Sequence, residues 1–127
     1  MKTRYIVALS MLAGAAIAGT AIQGLHAQAK PPFYTVSEIQ ITNVDAYTKE
    51  FVSVAQASIK AAGGKLLATG PGTSLEGAPP ANRVTIQVWD SLEQAQAWRN
   101  GAAYKKAREI GDKYAKFRAF AVQGTPQ

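Results

Sequence analysis

The chain has 127 residues, of which 47% are hydrophobic and 17% charged, and its formal net charge is +6. It contains no cysteine and a single histidine, His26. Disulfides, cysteine nucleophiles and metal sites built on several Cys or His ligands are therefore excluded. A chain of this length is expected to form one domain.

The first 29 residues have the three parts of a secretory signal peptide. Lys2 and Arg4 give a positive start, residues 5–22 form an uncharged and mostly apolar run, and Ala27-Gln28-Ala29 supplies a small-residue cleavage site. We expect cleavage after Ala29 and an exported protein, periplasmic or extracellular, which meets the membrane only through this segment before cleavage. The alternative is an uncleaved anchor, because the run approaches the ~20 residues that span a bilayer.

Cleavage would leave a domain of residues 30–127 with a net charge of +4 and without His26. Such a domain lacks the side chain that most often shuttles protons near neutral pH. A Ser-His-Asp triad and a haem held by His or Cys are then excluded as well. Any catalysis would need carboxylates, Tyr, Lys, Arg or a bound cofactor, and no metal or cofactor site is indicated.

The first half of this domain alternates between strand and helix patterns. Residues 33–42 are rich in β-branched and aromatic residues and predict a strand. Asn43 is a good cap for a helix that follows three- and four-residue apolar spacing to Ala62 and ends at Gly63-Gly64. Residues 65–69 predict a second strand, and residues 70–82 form a Gly- and Pro-rich loop whose role stays open.

The second half repeats this alternation. Arg83–Trp89 predicts a third strand, and the capping-box pattern at Ser91 starts a helix that breaks near Gly101, resumes at 103 and ends near 113. Residues 116–123 predict the fourth strand. The order βαββαβ predicts a ferredoxin-like α+β fold, in which a four-stranded antiparallel sheet carries both helices on one face.

Alternation along the strands assigns each side chain to one face of the sheet. The residues predicted to pack under the helices are Ile39, Ile41, Val84, Ile86 and Val88. The opposite face would carry Tyr34, Val36, Glu38, Gln40, Arg83, Thr85, Gln87, Trp89 and either Phe117 or Phe120. Because exposed aromatic area on an open sheet favours association, we expect a homodimer whose facing sheets enclose a partly polar cavity.

Five residues of that face form the predicted ligand site: Tyr34, Glu38, Arg83, Gln87 and Trp89. Glu38 is the candidate catalytic residue, because a carboxylate enclosed in such a cavity is suited to proton transfer. Arg83 could hold an anionic ligand through two hydrogen bonds. The alternative is a structural Glu38–Arg83 ion pair, with Trp89 as an anchor of the dimer interface.

Other conspicuous residues have simpler interpretations. Tyr47, Trp98 and Tyr104 lie on apolar helix stripes and are predicted to be core residues. Positive charge concentrates near the C-terminus, where a solvated helix face is expected, at Lys105, Lys106, Arg108, Lys113, Lys116 and Arg118. RNA-recognition domains share the βαββαβ order. Their aromatic-glycine signature is absent here, and nucleic-acid binding is not expected.

Three stretches resemble the domain-of-unknown-function 1330 family. They are FYTVSEIQITNVDAY at 33–47, AAGGKLL at 61–67, and RVTIQVWDSLEQA at 83–95 with the Ala97-Trp98 and Ala103-Tyr104-Lys105 that follow. The matching positions are Glu38, Tyr47, Gly63, Gly64, Arg83, Ser91 and Tyr104. The chain departs at Val44, where the family usually has Pro, and at Val88, where an acidic residue is frequent. The resemblance implies a dimeric α/β barrel of ferredoxin-like subunits without an established activity.

Three functions follow as hypotheses. The protein could bind a small organic ligand in the cavity between facing sheets. It could be an enzyme similar to cofactor-independent monooxygenases or isomerases, with Glu38 as base and Arg83 as anion holder. It could also be a non-catalytic structural or interaction module. A direct Glu38–Arg83 pair would weaken the first two hypotheses, and Glu38 in an open pocket would favour the enzyme.

Overall fold

The computed structural model describes residues 30–127, so the predicted signal segment, residues 1–29, lies outside the described residues. Among the residues that are described, no helix is both long and apolar enough to cross a membrane.

The predicted order of elements is confirmed, and each boundary agrees to within two residues. The elements are β1 (Phe33–Ile41), α1 (Val44–Ala46), a π-helical segment (Tyr47–Val52), α2 (Ser53–Ala61), β2 (Lys65–Gly70), β3 (Arg83–Trp89), α3 (Leu92–Asn100), α4 (Ala102–Gly111) and β4 (Ala115–Gln123). A π-helical segment therefore divides the first predicted helix, and the sequence pattern does not predict this segment.

Local side-chain contacts begin and end the helices. The Asn43 side chain accepts a hydrogen bond from the Ala46 amide at 3.1 Å, and Ser91 accepts one from the Gln94 amide at 3.1 Å. Both contacts satisfy amides that have no partner within the helix. Gly63 ends the first helical run in the left-handed region, at φ 90°, where glycine carries no steric penalty.

The strands form an antiparallel sheet in the order β2-β3-β1-β4, with the helices packed on one face. In this register Thr35 lies opposite Gln87 of β3, and Ile39 lies opposite Arg83. Residues directly opposite one another share a face of the sheet. The face of β1 that carries Thr35 and Ile39 is therefore also the face of Arg83 and Gln87.

The hydrophobic core lies between this face and the helices. Phe51 and Ile59 pack with Ile39 and Ile41 of β1 in this cluster. Aromatic rings continue the packing from the sheet into α3 and α4: the ring centroids of Trp89 and Trp98 are 5.2 Å apart, and those of Trp98 and Tyr104 are 4.1 Å apart. The predicted core positions of Tyr47, Trp98 and Tyr104 are confirmed.

The predicted facing of β3 is wrong. Thr85, Gln87 and Trp89 are buried under the helices, whereas Val84, Ile86 and Val88 are on the opposite face and only partly buried. The polar residues tolerate burial because they satisfy one another: Trp89 Nε1 donates to Thr35 Oγ1 at 3.2 Å, and Thr35 Oγ1 donates to Gln87 Oε1 at 3.0 Å. Apolar periodicity alone does not detect such a network.

A substitution at Gly64 tests whether Trp89 faces the helices, because the two residues are in contact. A Cβ at position 64 would lie 2.6 Å from Trp89 Cη2, so Gly64→Ala is expected to lower the free energy of unfolding by ~1–3 kcal/mol through overpacking. Urea denaturation measures the change. In a Trp89→Phe background the cost should be smaller, because the ring is shorter. Equal costs in both backgrounds would contradict this packing.

Candidate ligand-binding site

A cavity lies between the helices and the inward face of the sheet. Its enclosed volume is about 50 Å³, well below the ~300–1,000 Å³ of pockets for drug-sized ligands, and it opens into a wider crevice. The apolar wall is formed mainly by Ile39, Phe51, Ile59, Trp98, Tyr104 and Phe117, and the polar lining by Ser37, Tyr47, Thr69, Arg83, Thr85 and Gln87. We call this space the inner cavity.

The π-helical segment forms one wall of the inner cavity. It contributes the buried rings of Tyr47 and Phe51, whose centroids are 4.9 Å apart. Phe51 in turn meets Phe117 of β4 edge-on, at a centroid distance of 5.5 Å. π-Helical turns are rare and occur frequently at functional sites. The segment thus places the rings of Tyr47 and Phe51 on one wall of the inner cavity.

A short hydrogen-bond chain orients Gln87 toward the inner cavity. The indole of Trp89 can only donate, so Thr35 accepts from it and donates its own proton to Gln87 Oε1. The amide nitrogen of Gln87 then remains for another acceptor, and no side-chain hydrogen bond from it is found within residues 30–127. Because no fully enclosed side-chain nitrogen or oxygen of these residues lacks a partner, this nitrogen reaches open space. Gln87 is 4% exposed and lines the cavity. Its side-chain N–H groups can therefore donate to a ligand in the inner cavity.

Arg83 lies at the side of the inner cavity nearest the edge strand β2. Its Nε donates to Thr69 Oγ1 at 3.2 Å, and the Thr69 and Thr85 hydroxyls are 3.0 Å apart. Its guanidinium carbon is 5.6 Å from the centroid of the Tyr47 ring. The ion pairs found among residues 30–127 are Arg108–Asp112 and Arg118–Glu38. Arg83 has no carboxylate partner among them.

Burial is the largest influence on the Tyr47 hydroxyl and raises the pKa of Tyr47, while the positive charge of Arg83 acts in the opposite direction. The net shift is upward from the ordinary tyrosine value. The hydroxyl therefore stays protonated at neutral pH and can donate a hydrogen bond. With Arg83 and Gln87, it makes three donor groups around one cavity.

The structure does not bring the five predicted site residues together. Arg83 and Gln87 line the inner cavity, and Trp89 is buried in the core beside it. Tyr34 and Glu38 lie on the opposite face of the sheet, because they alternate with the inward residues of β1. The division follows directly from the inverted facing of β3.

Glu38 pairs with Arg118, not with Arg83. The two residues are cross-strand neighbours on β1 and β4, and Arg118 Nη1 donates to Glu38 Oε2. Arg118 is largely exposed and also lies 5.3 Å from the Phe120 ring. The predicted Glu38–Arg83 ion pair is therefore wrong within the subunit, and Glu38 does not line the inner cavity.

Sequence reasoning missed three hydroxyl groups of the inner cavity: Ser37, Thr69 and Thr85. It also treated Tyr47 only as a core residue. A usable signal was present in the strands, because Thr35 and Ser37 match the spacing of Thr85 and Gln87 and lie opposite them in the sheet. Polar residues repeated on one face of two neighbouring strands indicate a hydrogen-bonded inner layer.

The opposite face of the sheet is apolar at its centre. We call it the outer sheet face and define it by Tyr34, Val36, Val84, Ile86, Val88, Phe120 and Val122. Phe120 is 47% exposed and Val122 is 55% exposed. Within residues 30–127, no group of His, Asp and Glu side chains is placed to hold a metal ion on either face.

This strand order, with helices on one face, defines a ferredoxin-like α+β domain, and the predicted subunit fold is confirmed. The model of the family described as "Domain of unknown function (DUF1330)" matches residues 32–125, and the chain belongs to this family. No curated protein sequence matches the chain.

Solved structures share the fold at low sequence identity. RPA0582 from Rhodopseudomonas palustris, a protein of unknown function, is 13% identical and superposes with a TM-score of 0.63 over 85% of this chain and 94% of that one. SnoaB from Streptomyces nogalater, a cofactor-independent oxygenase, is 9% identical, with a TM-score of 0.57 over 76% and 96%. A dimeric ferredoxin-like protein of unknown function from Bacteroides fragilis is 10% identical, with a TM-score of 0.54 over 73% and 96%.

Proposed function

We propose that this chain is an exported protein that binds a small organic molecule and acts as a homodimer, with one ligand in the inner cavity of each subunit. The observation that carries the proposal is the unpartnered amide of Gln87, held in a buried position against a cavity with aromatic walls. Every fully enclosed side-chain nitrogen and oxygen of the described residues has a partner, so the Gln87 nitrogen reaches open space. It is therefore available to a ligand acceptor in the cavity, which would add a hydrogen bond.

The geometry favours binding over the alternative hypothesis of an enzyme that uses Glu38 and Arg83. Glu38 and Arg83 lie on opposite faces of the sheet, so they cannot act on one ligand within a subunit. The described residues that line the inner cavity include no Asp, Glu, His or Cys. Burial raises the pKa of Tyr47, so its hydroxyl stays protonated at neutral pH and can donate a hydrogen bond. The likeness to SnoaB concerns the fold, and a turnover assay would be needed to extend it to activity.

Filling the inner cavity should prevent binding. Ala55 is buried on α2 and lines the cavity, whereas Ala57 is exposed on the same helix. In a thermal-shift screen of single-ring aromatic acids, amides and lactones, a ligand at a hundred times its Kd adds about 2.7 kcal/mol to the free energy of unfolding. Ala55→Leu should abolish the shift, and Ala57→Leu should preserve it. The absence of any shift with the unmodified protein would favour a non-catalytic structural module.

The outer sheet face supports the homodimer. Its partly exposed Val, Ile and Phe side chains form an apolar surface of the kind that marks association sites. A second copy of the same face would cover it, because two sheets pack face to face about 10 Å apart with their side chains filling the space between them. The Glu38–Arg118 pair lies on the same face and would contribute polar contacts to that interface.

Ile86 lies near the centre of the outer sheet face, opposite Val36. Ile86→Glu would place a charge in the proposed interface and should convert the dimer to a monomer, as measured by gel filtration with light scattering. Ala57→Glu introduces the same charge on an exposed helix position and should leave the dimer intact. A monomeric unmodified protein would contradict the proposal.

Export is the remaining part of the proposal and rests on the signal pattern of residues 1–29. When the full chain is expressed in a bacterium, intact-mass measurement should find a protein that begins at Lys30 outside the cytoplasm. Ala29→Leu should block this cleavage, because signal peptidase requires a small residue there. A full-length protein that retains Met1 and sediments with the membrane would support the uncleaved anchor instead.

A further inference from the structure

The inner cavity has a positive charge that nothing in the described chain balances. Arg83 is half-buried, its Nε is occupied by Thr69, and no Asp or Glu of residues 30–127 lines the cavity. The two terminal nitrogens of the guanidinium are left for a partner. A partly desolvated cation without a counter-charge is unfavourable, so an anion is the occupant that the cavity favours electrostatically.

Two further groups around the cavity are donors. The Tyr47 hydroxyl and the Gln87 amide nitrogen make no hydrogen bond within residues 30–127, although the two residues are only 2% and 4% exposed. Arg83, Tyr47 and Gln87 all offer hydrogens. The complementary ligand therefore carries oxygen acceptors at more than one position, and one of these bears the negative charge.

The course of the Arg83 side chain brings these donors within reach of one small molecule. Arg83 and Gln87 are four residues apart on β3, a Cα separation of about 13 Å. The Arg83 guanidinium, however, contacts Thr69, which lies opposite Thr85, midway between the two. The guanidinium is therefore displaced from its own Cα toward Gln87. The span between the guanidinium and Gln87 is therefore shorter than the ~13 Å between the two Cα atoms.

The walls and the volume select the rest of the ligand. Phe51, Trp98, Tyr104 and Phe117 line the inner cavity, and aromatic rings pack favourably against a further ring by stacking or edge contact. The cavity of about 50 Å³ has room for roughly four water molecules. This limits the enclosed part of the ligand to a single ring.

We infer that the inner cavity binds a single-ring aromatic carboxylate, with the carboxylate on Arg83 and the ring between the aromatic walls, directed toward Gln87. Two parallel hydrogen bonds from a guanidinium match the geometry of a carboxylate. This inference rests on the proposed function, because it names the ligand class of the same cavity.

Calorimetric titration with three probes of similar shape tests the inference: benzoate, neutral benzamide and cationic benzylamine. Benzoate should bind at least tenfold more tightly than benzamide, and benzylamine should not bind. Arg83→Gln should weaken benzoate binding at least tenfold while leaving benzamide binding unchanged. Lys105→Gln removes one positive charge from an exposed position on α4 and should change neither.

The outcomes separate the inference from the proposed function. If benzamide binds as tightly as benzoate and Arg83→Gln has no effect, the carboxylate assignment is overturned and small-molecule binding stands. If no probe binds, the aromatic carboxylate assignment is overturned, and the thermal-shift screen with lactones decides whether small-molecule binding stands. If Lys105→Gln weakens benzoate as much as Arg83→Gln does, binding is a general effect of the basic surface and the inference is wrong. Circular dichroism of each variant, together with the conservative Arg83→Lys, which should bind benzoate with intermediate affinity, excludes a folding defect as the cause.

Discussion

The hydrogen bond from Trp89 to Thr35 fixes the face of β3 that turns toward the helices. Strand residues alternate, so once Trp89 is inward, Gln87, Thr85 and Arg83 are inward as well. The same constraint turns Val84, Ile86 and Val88 outward. The polar character of the inner cavity and the apolar character of the outer sheet face are therefore two consequences of one choice of facing.

Gly64 is a second feature of the sequence that requires Trp89 to face the helices. The glycine at the end of the first helical run leaves the space that the Trp89 indole occupies, so the helix stop and the tryptophan are complementary features distant in sequence. The stop itself was predictable, because Gly63-Gly64 follows an apolar helix stripe. Gly64 also lets the Trp89 indole approach the backbone closely. This second role depends on tertiary packing, and no local sequence pattern predicts it.

The sequence predicted the elements well and the candidate site only in part, for a physical reason. Caps, glycine stops and apolar periods are local, and they determined the strands and helices to within two residues. The facing of β3 is decided by non-local hydrogen bonds that let Thr85 and Gln87 replace apolar residues in the core. The partner of Glu38 was equally non-local, because only the β1–β4 register places Arg118 beside it. Arg83 and Gln87 were predicted on the outer face of the sheet, whereas they line the inner cavity.

The inner cavity and the outer sheet face lie on opposite sides of β3, so both proposed binding surfaces depend on the facing of this one strand. A second copy on the outer sheet face would contact Val84, Ile86 and Val88, whereas a ligand in the inner cavity would contact Arg83 and Gln87 of the same strand. Glu38 fits this scheme as a residue of the shared sheet. Its ion pair with Arg118 ties β1 to β4 on the outer side, and no carboxylate of residues 30–127 lines the inner cavity.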